Sequence, residues 1–215
     1  MHTRMRVLGI VGLLWIIGCV MGINEDMVRL QTLAPFEKYG DLRKVAIIPF
    51  GEYVVTRGEK VVMGVPHRVT EDNGKVMCDI FTDELKSRVS YKVITPDKVA
   101  QFFRKRKEKV WGMLPPKEVE RVGALLRADA LIMGQVQDFS TYRYRIHGNS
   151  RVIAQIRMTD SATAEPIWRG DIKLDQEGMP HEVARRGARL FLDQLASRKE
   201  AESAHKRKPP AILNR

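Results

Sequence analysis

The sequence predicts an α/β fold: a single mixed-sheet layer packed by helices, ending in an antiparallel hairpin and a final helix. Three observations carry this reading. Val45-Ala46-Ile47-Ile48-Pro49-Phe50 and Ala130-Leu131-Ile132-Met133-Gly134-Gln135-Val136 are short, nearly unbroken apolar runs, the pattern of strands covered on both faces. Between them, apolar residues recur every three or four positions, as on the buried side of a helix. Near residue 152 the period shortens to two, as in a strand with one covered face.

Residues 4–19, RMRVLGIVGLLWIIGC, come first and set the compartment. Two arginines, about a dozen apolar residues, a small residue and a cysteine make an export signal. An apolar stretch of about 12 residues gives ~18 Å of helix against a ~30 Å hydrocarbon core, which disfavours a plain membrane anchor. An ordinary soluble export signal with an incidental Cys19 is the other alternative. Ile16-Ile17-Gly18-Cys19 has the form of a lipobox, so residues 1–18 are expected to be a lipoprotein signal peptide and Cys19 the lipidated first residue of the mature chain. Residue 20 is valine and not the aspartate that retains many lipoproteins in the inner membrane, which points to the outer membrane.

Residues 19–41 have no sustained period and carry Gly22, Pro35 and Gly40. They read as a lipidated tether, packed in part through Leu30, Leu33 and Phe36, and ~20 extended residues would reach up to ~70 Å. The folded domain is expected over residues 42–197. Its first strand is the run at Val45, with Pro49 at the ladder's end. Tyr53-Val54-Val55 and Val61-Val62-Met63 around Arg57-Gly58 suggest a hairpin or a β-rich loop. From Lys75 to Val89, Val76, Met77, Ile80, Phe81, Leu85 and Val89 mark an amphipathic helix.

Tyr91 to Ile94 is a short strand, and Thr95-Pro96 opens a helix with proline at its tolerated first position. That helix buries Val99, Phe102 and Phe103 and ends in the basic run Arg104-Lys105-Arg106-Lys107-Glu108-Lys109. Pro115-Pro116 starts a third helix with Val119, Val122 and Leu126 inward, and the second buried strand follows at Ala130. Val152, Ala154, Ile156 and Met158, then Trp168, Gly170, Ile172 and Leu174, form the expected hairpin about Asp160-Ser161-Ala162-Thr163. Pro180 opens a last helix with Ala184, Ala188, Phe191 and Leu195 on one side and Arg185, Arg186 and Arg189 on the other. Residues 198–215 are polar and basic, the composition of a disordered tail.

The whole chain carries a formal charge of +11, and without Arg4 and Arg6 it keeps 35 basic against 26 acidic residues. Such an excess favours anionic partners by long-range attraction. With Cys19 assigned to lipid, Cys78 is left without a disulfide partner and reads as a small packed hydrophobe. Phosphate-binding glycine loops are missing, and His67, His147, His181 and His205 lack metal-ligand spacing. No enzyme activity, cofactor or metal is expected. Basic clusters at residues 104–109 and 206–208 would suit a nucleic-acid-binding protein, but the export signal opposes that reading, and no nucleic-acid partner is expected.

The order of elements and several local words carry a likeness. VAIIPF, IFTDELKSRV, YKVITP, ADALIMGQVQDF and the hairpin RVIAQIRMTDSATAEPIWRGDIKL, taken with the lipobox, resemble the superfamily of envelope lipoproteins that includes the curli secretion channel CsgG and the penicillin-binding-protein activator LpoB. The likeness spans about Val45 to Leu195. It implies an anticodon-binding-domain-like fold in the periplasm, lipid attachment to the outer membrane, no catalysis and an envelope partner. That partner would be a protein or an anionic cell-wall or lipid component, in an assembly, secretion or cell-wall role, with a homo-oligomer possible. An oligomeric secretion channel is the alternative, opposed by the short, charged connection Tyr142-Arg143-Tyr144-Arg145-Ile146-His147-Gly148-Asn149 where long pore hairpins would be needed.

Two surfaces stand out as partner-binding candidates. One is the basic run Arg104, Lys105, Arg106 and Lys107 with Phe103 and Trp111 as apolar anchors. The other is Tyr142, Arg143, Tyr144 and Arg145, which alternation along an edge strand would also explain.

Overall fold

The computed structural model describes residues 26–34, 42–52, 73–144 and 147–206. The signal, Cys19, the hairpin expected around Arg57-Gly58 and the end of the basic tail lie outside these residues. In chain order the elements are β1 (Met27–Thr32), β2 (Lys44–Ile47), β3 (Gly51–Glu52), α1 (Asn73–Lys86), β4 (Lys92–Ile94), α2 (Pro96–Arg104), α3 (Pro116–Leu126), β5 (Ala130–Tyr144), β6 (His147–Asp160), β7 (Pro166–Glu177) and α4 (Pro180–Lys206).

The strands form one mixed sheet in the order β1-β7-β6-β5-β2-β4, with β3 also beside β5. β2 runs parallel to β4 and β5, and β3 parallel to β5. β5, β6, β7 and β1 are antiparallel in turn. The α/β class and the mixed sheet are those the periodicity implies.

Burial explains the continuous runs. Val45, Ala46, Ile47 and Ile48 are all inaccessible, because the sheet is covered on both sides here. Val45 and Ile47 pack with Met77, Phe81 and Phe191 beneath α1 and α4, while Ala46 and Ile48 pack with Val99, Phe103 and Val122 beneath α2 and α3. Ala130 and Ile132 face the first cluster, and Leu131 and Met133 the second. In β6 and β7 the period is two because α4 covers one side: Val152, Ala154, Ile156, Trp168, Ile172 and Leu174 are buried while Gln155, Arg169 and Lys173 are exposed. A Cβ at Gly170 would collide with the Phe191 ring, so the missing side chain lets α4 lie close on the sheet.

Four features differ from the sequence reading. Met27–Thr32, assigned to the tether, is a sheet strand, with Met27 opposite Lys173 and Thr32 opposite Trp168. Leu30 is 5% exposed, and the folded body therefore includes residues 27–32 as well as those from 42. β5 does not end at Val136 but continues to Tyr144 past a register shift between Val136 and Asp138, which hides its period. Only Arg104 of the basic run is helical; the chain turns at residues 105–107, where Lys107 takes a left-handed φ of 60°. α4 extends through residues 198–206, so the first part of the expected tail is helical.

Candidate docking surfaces

The basic run sits on a loop held from below. Val99 and Phe103, four residues apart, fix α2 to the core. After Arg104, the Arg106, Lys107 and Glu108 amides donate to the carbonyls of Phe103, Arg104 and Phe103 at 2.9–3.0 Å, closing the turn. Val110 and Leu114 are then buried, and between them the Gly112 amide donates to the Pro49 carbonyl at 2.8 Å. Gly112 has φ 70°, and its Cα abuts Gly51, so glycine meets both the conformation and the space. This inward alternation turns Trp111 outward, where it is 48% exposed.

Arg104, Lys105, Arg106 and Lys107 are all exposed. The Arg106 guanidinium lies 4.8 Å from the Phe102 ring centre and the Lys109 ammonium 4.9 Å from that of Trp111, both in cation–π range. Glu108, the one acid within the run, is engaged by Arg121 at 2.7 Å, which also holds Glu118 at 2.8 Å. Donating hydrogen bonds to Glu118 and Glu108 pushes the Arg121 guanidinium above its ordinary value. The run therefore presents cations with an indole beside them. Phe103 is not part of this surface: it is fully buried, and Phe102, one step around the helix, is the half-buried neighbour.

Tyr142, Arg143 and Tyr144 end β5 and pair with Asn149, Gly148 and His147 of β6. Past Val136, where its pairing with β3 ends, β5 pairs only with β6 among the described residues, so these three lie along a free strand edge of the β5–β6 ribbon. Arg145 lies outside the described residues. The structure does not join the two candidate surfaces: Gly112 abuts Gly51 and Gln135, and the nine steps along β5 from Gln135 to Tyr144 span roughly 30 Å. Gly178 ties the start of α4 to the ribbon, its amide donating to the Gly148 carbonyl at 3.4 Å and its carbonyl accepting from the Ser150 hydroxyl at 2.6 Å. Beside it Met179 is 56% exposed, a residue the sequence reading passed over.

A second unanticipated cluster is internal. The carboxylate of Glu84 on α1 meets Arg88 at 2.9 Å, Arg189 at 3.0 Å and Arg185 at 3.5 Å, joining α1 to α4. Burial alone would raise its pKa, but hydrogen bonds from Arg88 and Arg189 outweigh that and hold it below the ordinary value. Arg185 and Arg189, on the side of α4 opposite its apolar residues in the sequence reading, serve in part as helix-to-helix pairing. Cys78 is 1% exposed and its thiol is pushed up to about 12 by burial, so it is a packed thiol and not a thiolate at neutral pH.

Among the described residues no group of three or more His, Cys, Asp and Glu is placed to hold a metal ion. No described helix is long and apolar enough to cross a membrane.

No protein-family model matches the chain, and no curated protein matches it significantly. Solved structures share its fold. A PelC dodecamer from Paraburkholderia phytofirmans superposes with a TM-score of 0.52 at 16% identity, over 80% of this chain and 97% of that one. Lipoprotein GNA1162 from Neisseria meningitidis gives 0.50 at 15% identity, over 72% of this chain and 99% of that one. The LpoB C-terminal domain from Escherichia coli gives 0.41 at 8% identity, over 62% and 83%. At such identities the likeness is one of fold, and it is distant. The fold is shared with PelC and with a lipoprotein, in keeping with the lipoprotein resemblance of the sequence.

Proposed function

We propose that this protein is a non-enzymatic outer-membrane lipoprotein, anchored through lipid on Cys19, whose periplasmic domain docks an acidic envelope component and positions it. The observation that carries the docking role is the loop of residues 104–111: exposed cations and an outward indole on a backbone pinned by Val110, Gly112 and Leu114. An aromatic anchor with arginines on a rigid support is the composition of a binding hot spot. Anchoring confines the domain to the membrane surface and raises its effective concentration near partners there. The lipobox supports the anchor, and the shared fold with a Neisseria lipoprotein agrees with it.

A photo-crosslinking residue at position 111, in the protein's own cells, tests this reading. A discrete adduct with an identified envelope protein or anionic wall component is expected, weakened by glutamate at 104, 105 and 106 and not formed from position 200 on α4. Adducts with cytosolic proteins, or equal yields from both positions, would contradict it.

An oligomer of this chain is a second reading. The shared fold with a dodecamer supports it, as do the sheet edges β1 and β4, each paired on one side only among the described residues. Sedimentation in mild detergent distinguishes a ring of copies from a monomer.

A further inference from the structure

We infer that Arg157 and Arg169, directly opposite each other on β6 and β7, form a binding site for a phosphate group on the sheet face turned away from α4. The site lies apart from the loop of residues 104–111 and needs neither that docking role nor the lipid anchor.

Register carries the first step. Gln31, Arg169, Arg157 and Met133 form one row across β1, β7, β6 and β5. Ile156 and Met158, on either side of Arg157, point into the core beneath α4, so Arg157 lies on the other face. On that face Met133 is covered by α2 and α3, whereas Arg169 and Gln31 are exposed. Arg157, partly buried, stands where the cover stops, and its strand runs about 4.8 Å from that of Arg169.

Missing compensation carries the second. The hydrogen bonds that the two arginines make among the described residues go to neutral acceptors: Arg157 Nη2 donates to the Leu114 carbonyl at 2.5 Å, and Arg169 Nε to the Gln31 side-chain oxygen at 2.7 Å. Arg157 Nε and the hydroxyl of Thr159, two residues along the same strand, are buried without a partner among the described residues. Burial pushes the Arg157 guanidinium below its ordinary value. The adjoining row holds Arg29, Asp171 and Gln155, so over the two rows three arginines face one aspartate. Like charges directly opposite on a sheet repel, and a desolvated cation without a counter-ion is costly. An anion between the guanidinium groups relieves both costs; water serves the hydroxyl but brings no charge.

Chemistry carries the third. Beyond those bonds, Arg157 Nη1 and both terminal nitrogens of Arg169 remain to donate among the described residues. A carboxylate has two oxygens, enough for the Arg169 fork alone. A phosphate has a further oxygen to reach Arg157, and up to two negative charges to match two guanidinium groups. Gln31 and Leu114 already hold the two side chains, so little freedom is lost on binding.

The test observes inorganic phosphate by phosphorus NMR with the full-length protein in a maltoside detergent at fixed ionic strength. The phosphate line is expected to broaden with the wild type and several-fold less with Arg169→Gln. It should broaden as in the wild type with Lys173→Gln, which removes an exposed cation from the same face. Arg169 is exposed, so Arg169→Gln is expected to keep the wild-type melting temperature. Arg157→Lys, which keeps the charge but not the fork, should also weaken binding. Wild-type broadening in Arg169→Gln or in Arg157→Lys overturns the paired site. So does an equal loss in Lys173→Gln, the mark of general attraction to a basic surface, or displacement by acetate as readily as by phosphate. Displacement by dihexanoylphosphatidylglycerol supports the site and assigns the phosphate to a lipid headgroup. Displacement by glycerol phosphate alone supports it and assigns a soluble or polymer-borne ester, and displacement by neither overturns it.

Discussion

Met27 lies directly opposite Lys173, which makes the first described strand an integral edge of the sheet. Through that pairing Leu30 reaches the core under α4, and Gln194 of α4 donates to the Val28 carbonyl at 2.9 Å. If β1 belongs to the folded body, Leu30→Ala costs about 2–3 kcal/mol, the usual penalty for a large-to-small core change. Urea denaturation measures this; a change within error would return residues 27–32 to a tether.

Glu84 makes the α1–α4 contact depend on pH. Its carboxyl titrates below the ordinary value in the folded state, so its contribution is complete above the unfolded value of about 4.3 and is lost as pH falls through the depressed folded one. Glu84→Gln is expected to lower stability at pH 7 by about 2 kcal/mol, since its arginine partners are partly solvated, and to flatten the acid limb of the profile. Thermal melts from pH 3 to 7 provide the check.

Gly170 tests the seating of α4. Gly170→Ala places a methyl against the Phe191 ring and the Arg29 carbonyl, and a loss of about 1–3 kcal/mol is expected from overpacking. The double variant Gly170→Ala with Phe191→Leu should recover part of that loss in the same denaturation assay.

Phe103 and Trp111 separate core from surface. Phe103→Ala is expected to cost about 3–5 kcal/mol, whereas Trp111→Ala should leave the melting temperature nearly unchanged. Replacing Arg104, Lys105 and Arg106 by glutamate should behave like Trp111→Ala in stability while reducing crosslinking to the partner. A large stability loss in that triple variant would mean that the run has a structural role.

Cys78 should resist maleimide in the native protein and react on unfolding, because burial both shields the sulfur and pushes its thiol up to about 12. Rapid native labelling at pH 8 would show that α1 opens readily from the sheet.

Most of the sheet's centre was legible because burial on both sides leaves no place for polar residues in Val45–Ile48 or Leu131–Met133. The strand at Met27 was not: only Val28 and Leu30 of its six residues are strongly apolar and inward, and its partner lies about 140 positions away. In β5 the shift after Val136 moved Phe139 off the expected alternation, so the strand seemed to stop. Phe103 carried a readable signal in its four-residue spacing from Val99, which places it inward, while Phe102 is one helical step off that line. Trp111 turns outward because its neighbours are pinned by Pro49 and the core, contacts no local pattern encodes. Glu84 and Arg88 have helix-pair spacing, but burial of that pair needs α4, a hundred residues later.

The central claim is most directly tested by the intact mass of the N-terminal peptide of the protein isolated from its own membranes. The account predicts a chain beginning at Cys19 with a diacylglyceryl thioether, found in the outer-membrane fraction and released to the periplasm or left unprocessed in Cys19→Ser. A chain that retains residues 1–18, or one cleaved elsewhere with an unmodified cysteine, would contradict it.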